Sequence, residues 1–291
     1  MKIAVVLYGN LRTFLLPVSG RVIADDFMDC IVRPNNADVF AFTDTNDFYY
    51  KGTQYNICDN KTYQTFQSKD VMDNDRAKSI IHDELTARIG SYLKSFCIEY
   101  PHDVNTNARL GDLIKLEASV NADPHAVPLI HQYRKIKMAY DLLVEFEKET
   151  NVSYDFIIRW RFDNRPVCSL RVESYDFGNV DVYVSGYHPP LVLDWTAFGK
   201  RVVMDKCLRL YDDLGFTVAG GNIYSVRCKH CCVGLYCGYK RDEPCPRCHK
   251  NDGLVYDDIT TASEHHLYKL LENHGYRAAN ASIGCPHRYN Q

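Results

Sequence analysis

The sequence predicts an α/β fold: a mostly parallel sheet with helices packed on its faces. Three observations predict it. A continuous apolar run occupies residues 3–7, a second occupies 39–42, and residues 15–32 between them are long enough for the crossover helix of a βαβ unit. Strands covered on both faces read as unbroken apolar runs and do not alternate. With 291 residues, 46% of them hydrophobic and 24% charged, the chain can bury a core of one such domain or two smaller ones.

The first strand, residues 2–8, stops at the turn signal Gly9-Asn10. The second, residues 38–42, runs out through Thr43-Asp44-Thr45-Asn46-Asp47. Residues 50–128 are rich in polar side chains. Helical spacing in 64–74 and 76–98, closed by Pro124 and Pro128, predicts helices joined by long loops. Residues 132–148 form the clearest helix. Tyr133, Ile136, Tyr140 and Leu143 recur on one face, Ala139 and Phe146 widen the stripe, and Asn151 and Ser153 end it. A buried strand follows over 154–160, and another is expected over 180–185. Residues 194–199 are predicted to lead into a helix over 200–214. A last helix over 260–273 carries Leu267, Leu270 and Leu271 on one side and stops at Gly275.

A net charge of −3 gives no reason to expect a polyanion, so no nucleic-acid partner is expected; it is compatible with a local basic groove for one diphosphate. The first apolar run is too short for a signal-peptide core. No stretch reaches the roughly 18 apolar residues of a membrane span, so a cytoplasmic, reducing location is expected.

Six of the twelve cysteines crowd between Cys228 and Cys248. Cys228-Lys-His-Cys231 and Cys245-Pro-Arg-Cys248 are two knuckles separated by thirteen residues. A two-residue gap lets both thiolates of a knuckle face one metal, and two knuckles complete a tetrahedral zinc site with no open position for chemistry. The expectation is a structural zinc in an inserted subdomain over 224–251. Cys232, Cys237, His230 and His249 share the stretch, and any of them can replace one of the four ligands. Buried free thiols are the plainer alternative.

Three segments fall where such a sheet holds its ligand, at the carboxyl ends of strands. In Tyr8-Gly9-Asn10-Leu11-Arg12-Thr13, Gly9 permits close backbone approach and Arg12 can fork onto a diphosphate. In the segment 157–164, Arg159, Arg161 and Asp163 alternate onto one side. Two cations and a carboxylate at a strand end must pair with each other or with a ligand. In 193–199, Asp194 stands beside Trp195. It reads either as a base or acceptor-binding group or as a helix N-cap.

Taken in order, YGNLRTF, DVFAFTD, a helix with Gln132, Arg134 and Lys135, YDFIIRWRFD, DWTAFG and a helix bearing Glu264 resemble GT-A-type glycosyltransferases. The group resembled includes WavE-like transferases of bacterial surface polysaccharides and capsid-glycosylating enzymes of large DNA viruses. The resemblance spans most of the chain outside the cysteine insert. It implies one GT-A-like (Rossmann-like) domain over 1–291, acting from the host cytoplasm if viral. A nucleotide sugar, UDP-linked by expectation, would be held by Tyr8, Gly9, Asn10, Arg12, Asp44, Gln132, Lys135, Arg159 and Arg161. The acceptor would be a hydroxyl of a glycan or glycoprotein.

The resemblance also implies a divalent cation, manganese or magnesium, at an Asp-x-Asp motif. This chain reads Arg161-Phe162-Asp163 there, so one carboxylate is missing. Either Asp163 holds the ion with waters and phosphates, or Arg161 offsets the diphosphate directly. Asp194 is the first choice of acceptor base and Glu264 the second; His287 is either a late metal ligand or a surface residue. A non-catalytic zinc-ribbon binding module and a nucleotidyltransferase are the alternative functions.

Overall fold

A computed structural model describes residues 1–11, 13–15, 19–45, 48–50, 53–55, 74–99, 126–188, 191–192, 196–212, 224–228, 234–235, 254–258, 263–281 and 284–286. The strands are β1 (Ile3–Tyr8), β2 (Asp38–Asp44), β3 (Phe48–Tyr50), β4 (Thr53–Tyr55), β5 (Leu93–Glu99), β6 (Phe156–Arg161), β7 (Asn164–Pro166), β8 (Val182–Val184), β9 (Tyr187–His188), β10 (Leu191–Val192), β11 (Thr196–Lys200), β12 (Tyr224–Cys228), β13 (Gly234–Leu235), β14 (Leu254–Asp258), β15 (Ala278–Asn280) and β16 (Gly284–Pro286). The principal helices are α1 (Ser19–Phe27), α2 (Asn74–Ile89), α3 (Ala126–Thr150), α4 (Arg201–Leu208) and α5 (Ser263–Asn273).

Seven strands make the main sheet in the order β15-β8-β11-β6-β1-β2-β5. β1 is parallel to both β2 and β6, and β2 is parallel to β5. β11 runs antiparallel to β6 and β8, and β15 is parallel to β8, so β11 alone is reversed within this sheet. The mostly parallel sheet expected from the apolar runs is present. β1 alternates Ile3, Val5 and Leu7 toward one face and Ala4, Val6 and Tyr8 toward the other, all buried. One face packs on α1 and α2 through Ile23, Phe27, Ile81 and Leu85; the other packs on α3, α4 and α5 through Tyr133, Tyr140, Met204 and Leu267. Helices on both faces explain why β1, β2 and β6 carry apolar side chains at successive positions.

Several boundaries differ from expectation. Residues 76–98 are not one helical segment: α2 ends at Ile89, a 3-10 turn follows, and residues 93–99 form the edge strand β5. α3 begins before Gln132 and includes Pro128 in its first turn, where a missing N–H costs no helical hydrogen bond. It ends at Asn151, whose φ of 54° is left-handed. Residues 196–200 form a strand, and α4 starts only at Arg201. Asp194 is therefore not the N-cap of α4. The close β11–β8 pairing depends on Gly199, where a Cβ would meet the Asp181 carbonyl oxygen at 2.7 Å. α5 stops as expected, with Gly275 at φ +65°.

β12 pairs antiparallel with β13 and β14 in a separate three-stranded sheet. Among the described residues no helix is long and apolar enough to cross a membrane.

Candidate functional site

β1 sends its connection through α1 to β2 on one side, whereas β5 returns through α3 on the opposite face to β6 on the other side. The winding thus reverses between β1 and β6. Open α/β sheets bind ligands outside the carboxyl ends of strands at such a switch point. Tyr8 and Arg161 are the last paired residues of the two strands, and the Phe162 N–H extends the ladder to the Tyr8 carbonyl at 3.1 Å.

Beyond Tyr8, Gly9 adopts φ +111° with open space where a Cβ would stand, so it turns the chain without crowding a ligand. The Thr43 hydroxyl donates to the Gly9 carbonyl at 2.8 Å, and Lys135 Nζ donates to Asn10 Oδ1. Lys135 also pairs with Asp44 Oδ2 at 2.5 Å, with both side chains under a tenth exposed. One residue earlier on α3, Arg134 forks onto both Glu99 oxygens at 2.5 Å. Burial opposes the Arg134 charge, but the Glu99 hydrogen bond and charge outweigh it and raise its pKa. The α3 cations therefore meet the carboxylates that close β2 and β5, in one connected polar rim.

His131, one turn before Lys135, belongs to this rim. Burial and the Lys135 ammonium lower its pKa to about 4, against the pull of Asp44, and Arg134 adds to the lowering. The imidazole is neutral at pH 7. Gln132 beside it is half-buried.

On β6, Arg161 forks onto Asp163, Nε to Oδ1 at 2.9 Å and Nη2 to Oδ2 at 2.7 Å, with 20% and 17% of the side chains exposed. Of the two expected outcomes for these charges, pairing with each other is present between Arg161 and Asp163. Arg159 lies deeper, level with Val6, fully buried and with its guanidinium 5.9 Å from the Tyr8 ring. It belongs to the packed layer under the rim, whereas Arg161 stands at the rim. Behind the turn, Asn164 Nδ2 donates to Thr196 Oγ1 at 2.8 Å, and Trp160 Nε1 donates to the Asn164 carbonyl at 3.0 Å.

The structure thus brings Tyr8, Gly9, Asn10, Asp44, Lys135, Arg161 and Asp163 to one end of the sheet. Glu99, Thr43 and His131 join them unannounced. The sequence signal for His131 was its spacing of four from Lys135; Glu99 closes a strand that the spacing hid. Arg12, Asp194, Cys231, Cys245, Cys248 and His287 lie outside the described residues, as do His230, Cys232, Cys237 and His249. For Glu264 only the backbone is described. It sits in the first turn of α5, which leads into β15, so that turn faces the carboxyl side of the sheet.

Among the described residues no group of three His, Cys, Asp or Glu side chains could hold a metal. At the rim, the one carboxylate after β6 already has both oxygens on a guanidinium.

An open polar cleft of about 420 Å3 lies at the opposite, amino end of the sheet, between Lys2, Asn36, Asp38, Lys94 and Tyr154. Its carboxylate is taken by the Tyr154 hydroxyl at 2.7 Å and by Lys94 at 3.3 Å. Open α/β sheets bind ligands at the carboxyl ends of their strands, which makes the other rim the candidate site. Set against known proteins, the chain matches no family model and no curated sequence.

Proposed function

We propose that the protein is a glycosyltransferase with a GT-A-like fold, moving a sugar from a UDP-linked donor to a glycan hydroxyl. One observation supports this most. The switch point between β1 and β6 gathers a positive-φ glycine turn, a carboxylate–ammonium pair at the end of β2 and a guanidinium at the end of β6. That set offers close backbone approach, hydroxyl recognition and charge for a leaving diphosphate. The resemblance in motif order supports the same reading, as does the sheet, parallel from β5 through β6 and mixed beyond it.

In this reading the ribose and base lie against Asp44 and Asn10, and Arg161 with Lys135 stabilises the negative charge that builds on the departing nucleoside diphosphate. Asp163 holds the Arg161 fork in place. In an inverting transfer, Asp194 takes the acceptor proton as the hydroxyl oxygen bonds to the anomeric carbon; Glu264 is the second candidate. A structural zinc belongs to the cysteine insert. The two Cys-x-x-Cys spacings in the sequence support this.

The test is a thermal-shift panel of nucleotide sugars and nucleoside triphosphates, with and without manganese, followed by product analysis on the ligand that stabilises. Stabilisation by a UDP-sugar and release of UDP are expected. Release of pyrophosphate from a nucleoside triphosphate would indicate a nucleotidyltransferase. Response to neither class would leave the zinc-ribbon binding module as the better reading.

A further inference from the structure

The described residues of the loop after β1 are held from several directions. Thr43 on β2 holds the Gly9 carbonyl and Lys135 on α3 holds Asn10. The Phe14 N–H closes onto the Leu11 carbonyl at 2.6 Å, and Leu11, Phe14 and Leu15 are buried in the layer formed with α1 and α2. Phe14 also meets Phe162 edge-on, ring centroids 5.1 Å apart, so this loop and the Phe162–Asp163 turn share one packing contact. The remaining tie comes from α2. Arg88, near its carboxyl end, donates through Nη1 to the Phe14 carbonyl and through Nη2 to the Leu15 carbonyl at 3.4 Å. Its guanidinium lies 5.8 Å from the Phe14 ring. Glu84, one turn earlier, accepts from Arg88 Nε at 3.0 Å and orients the fork, and the Arg88 side chain is only 9% exposed.

We propose that Arg88 is a positioning residue for the donor site: it fixes the backbone of residues 13–15 and, through Phe14 and Phe162, the spacing between the two loops that face the diphosphate. For its ligand this rests on the proposed donor site; for its structural part it rests on the contacts alone. Two carbonyls held by one preorganised guanidinium form a joint that no single-point donor reproduces, because a lysine ammonium reaches one carbonyl without the planar fork. A loop misplaced by about 1 Å costs a site on the order of a hundredfold in rate, so a buried joint far from the chemistry can govern it.

The experiment compares wild type, Arg88→Ala, Arg88→Lys and, as a destabilised control, Leu271→Ala in the opposite layer. Amide hydrogen exchange over residues 9–15 and UDP affinity by calorimetry are the two readouts. Arg88→Ala should speed exchange in 9–15 and weaken UDP about tenfold, Arg88→Lys should recover part of both, and Leu271→Ala should change neither beyond its global loss of stability. Exchange at the wild-type rate in Arg88→Ala overturns the proposal whatever the ligand. Faster exchange with unchanged UDP affinity overturns the role at the site and leaves the donor reading standing. A wild type that binds no UDP removes the donor reading and, with it, this role for Arg88.

Discussion

Lys135 Nζ on α3 lies 2.5 Å from Asp44 Oδ2 at the end of β2, and 7% and 4% of the two side chains face solvent. A pair this enclosed is held by mutual charge and by the bond from Lys135 to Asn10. Removing one member takes the opposite charge away from a buried group. Lys135→Met should therefore cost about 3–5 kcal/mol, and Lys135→Met with Asp44→Asn should recover most of that loss. Urea unfolding of the two variants beside wild type checks this. Equal stability of the single and double variants would sink it.

Acid should act through His131. Its folded pKa is about 4 against an ordinary value of 6.5, so between those limits the unfolded chain binds a proton that the folded one refuses. Stability is then lost as pH falls from 6.5 toward 4, by about 1.4 kcal/mol per pH unit for that proton. His131→Gln should flatten the difference in slope over that window and leave stability above it nearly unchanged. Melts of both proteins from pH 7.5 to 4 decide the point; parallel curves would mean the imidazole titrates freely.

β1, β2 and β6 were legible because each is buried on both faces and must be apolar at successive positions. β5 was not. It is an edge strand in which Ile98 alone is buried, so its apolar run is only Phe96-Cys97-Ile98 and the strand merges with α2 before it. β11 was hidden for another reason. Residues 194–199 read as the lead into a helix starting at Lys200, and the need for Gly199 appears only when β8 lies against it. At the site, the strand-end motifs could be read because turns and charges recur where parallel strands stop. The pairings of Arg134 with Glu99 and Lys135 with Asp44 join residues 35 and 91 apart in sequence. Their partners depend on α3 crossing the sheet, which no local pattern fixes.

One zinc per chain is expected in the purified protein. The two Cys-x-x-Cys spacings motivate this, and losing one thiolate from a closed structural site should unfold the insert. Cys245→Ser should lose zinc and solubility while UDP affinity of the soluble fraction stays within about threefold, since the ligand rim is built from other elements. Elemental analysis, with calorimetry on the same preparation, tests both halves. Wild type without zinc above background would end the claim.

The Arg161–Asp163 fork separates two accounts of how leaving-group charge is met. If Arg161 meets the diphosphate, its charge-assisted bonds should supply about 1.5–3 kcal/mol, and Arg161→Met should weaken UDP by roughly ten- to a hundredfold. Asp163 then acts through Arg161. Asp163→Ala frees the guanidinium to sample other positions, lowers the melting temperature slightly because the pair is partly screened, and weakens UDP less than Arg161→Met does. Chelator should leave affinity unchanged in wild type and in both variants. A metal-ligand role for Asp163 predicts a different pattern. Manganese would tighten UDP in wild type, chelator would abolish the gain, and Asp163→Ala would lose it while Arg161→Met kept it. Affinity measured across the three proteins with manganese and with chelator distinguishes the two patterns. A manganese gain that vanishes only in Asp163→Ala would overturn the assignment of the diphosphate charge to Arg161.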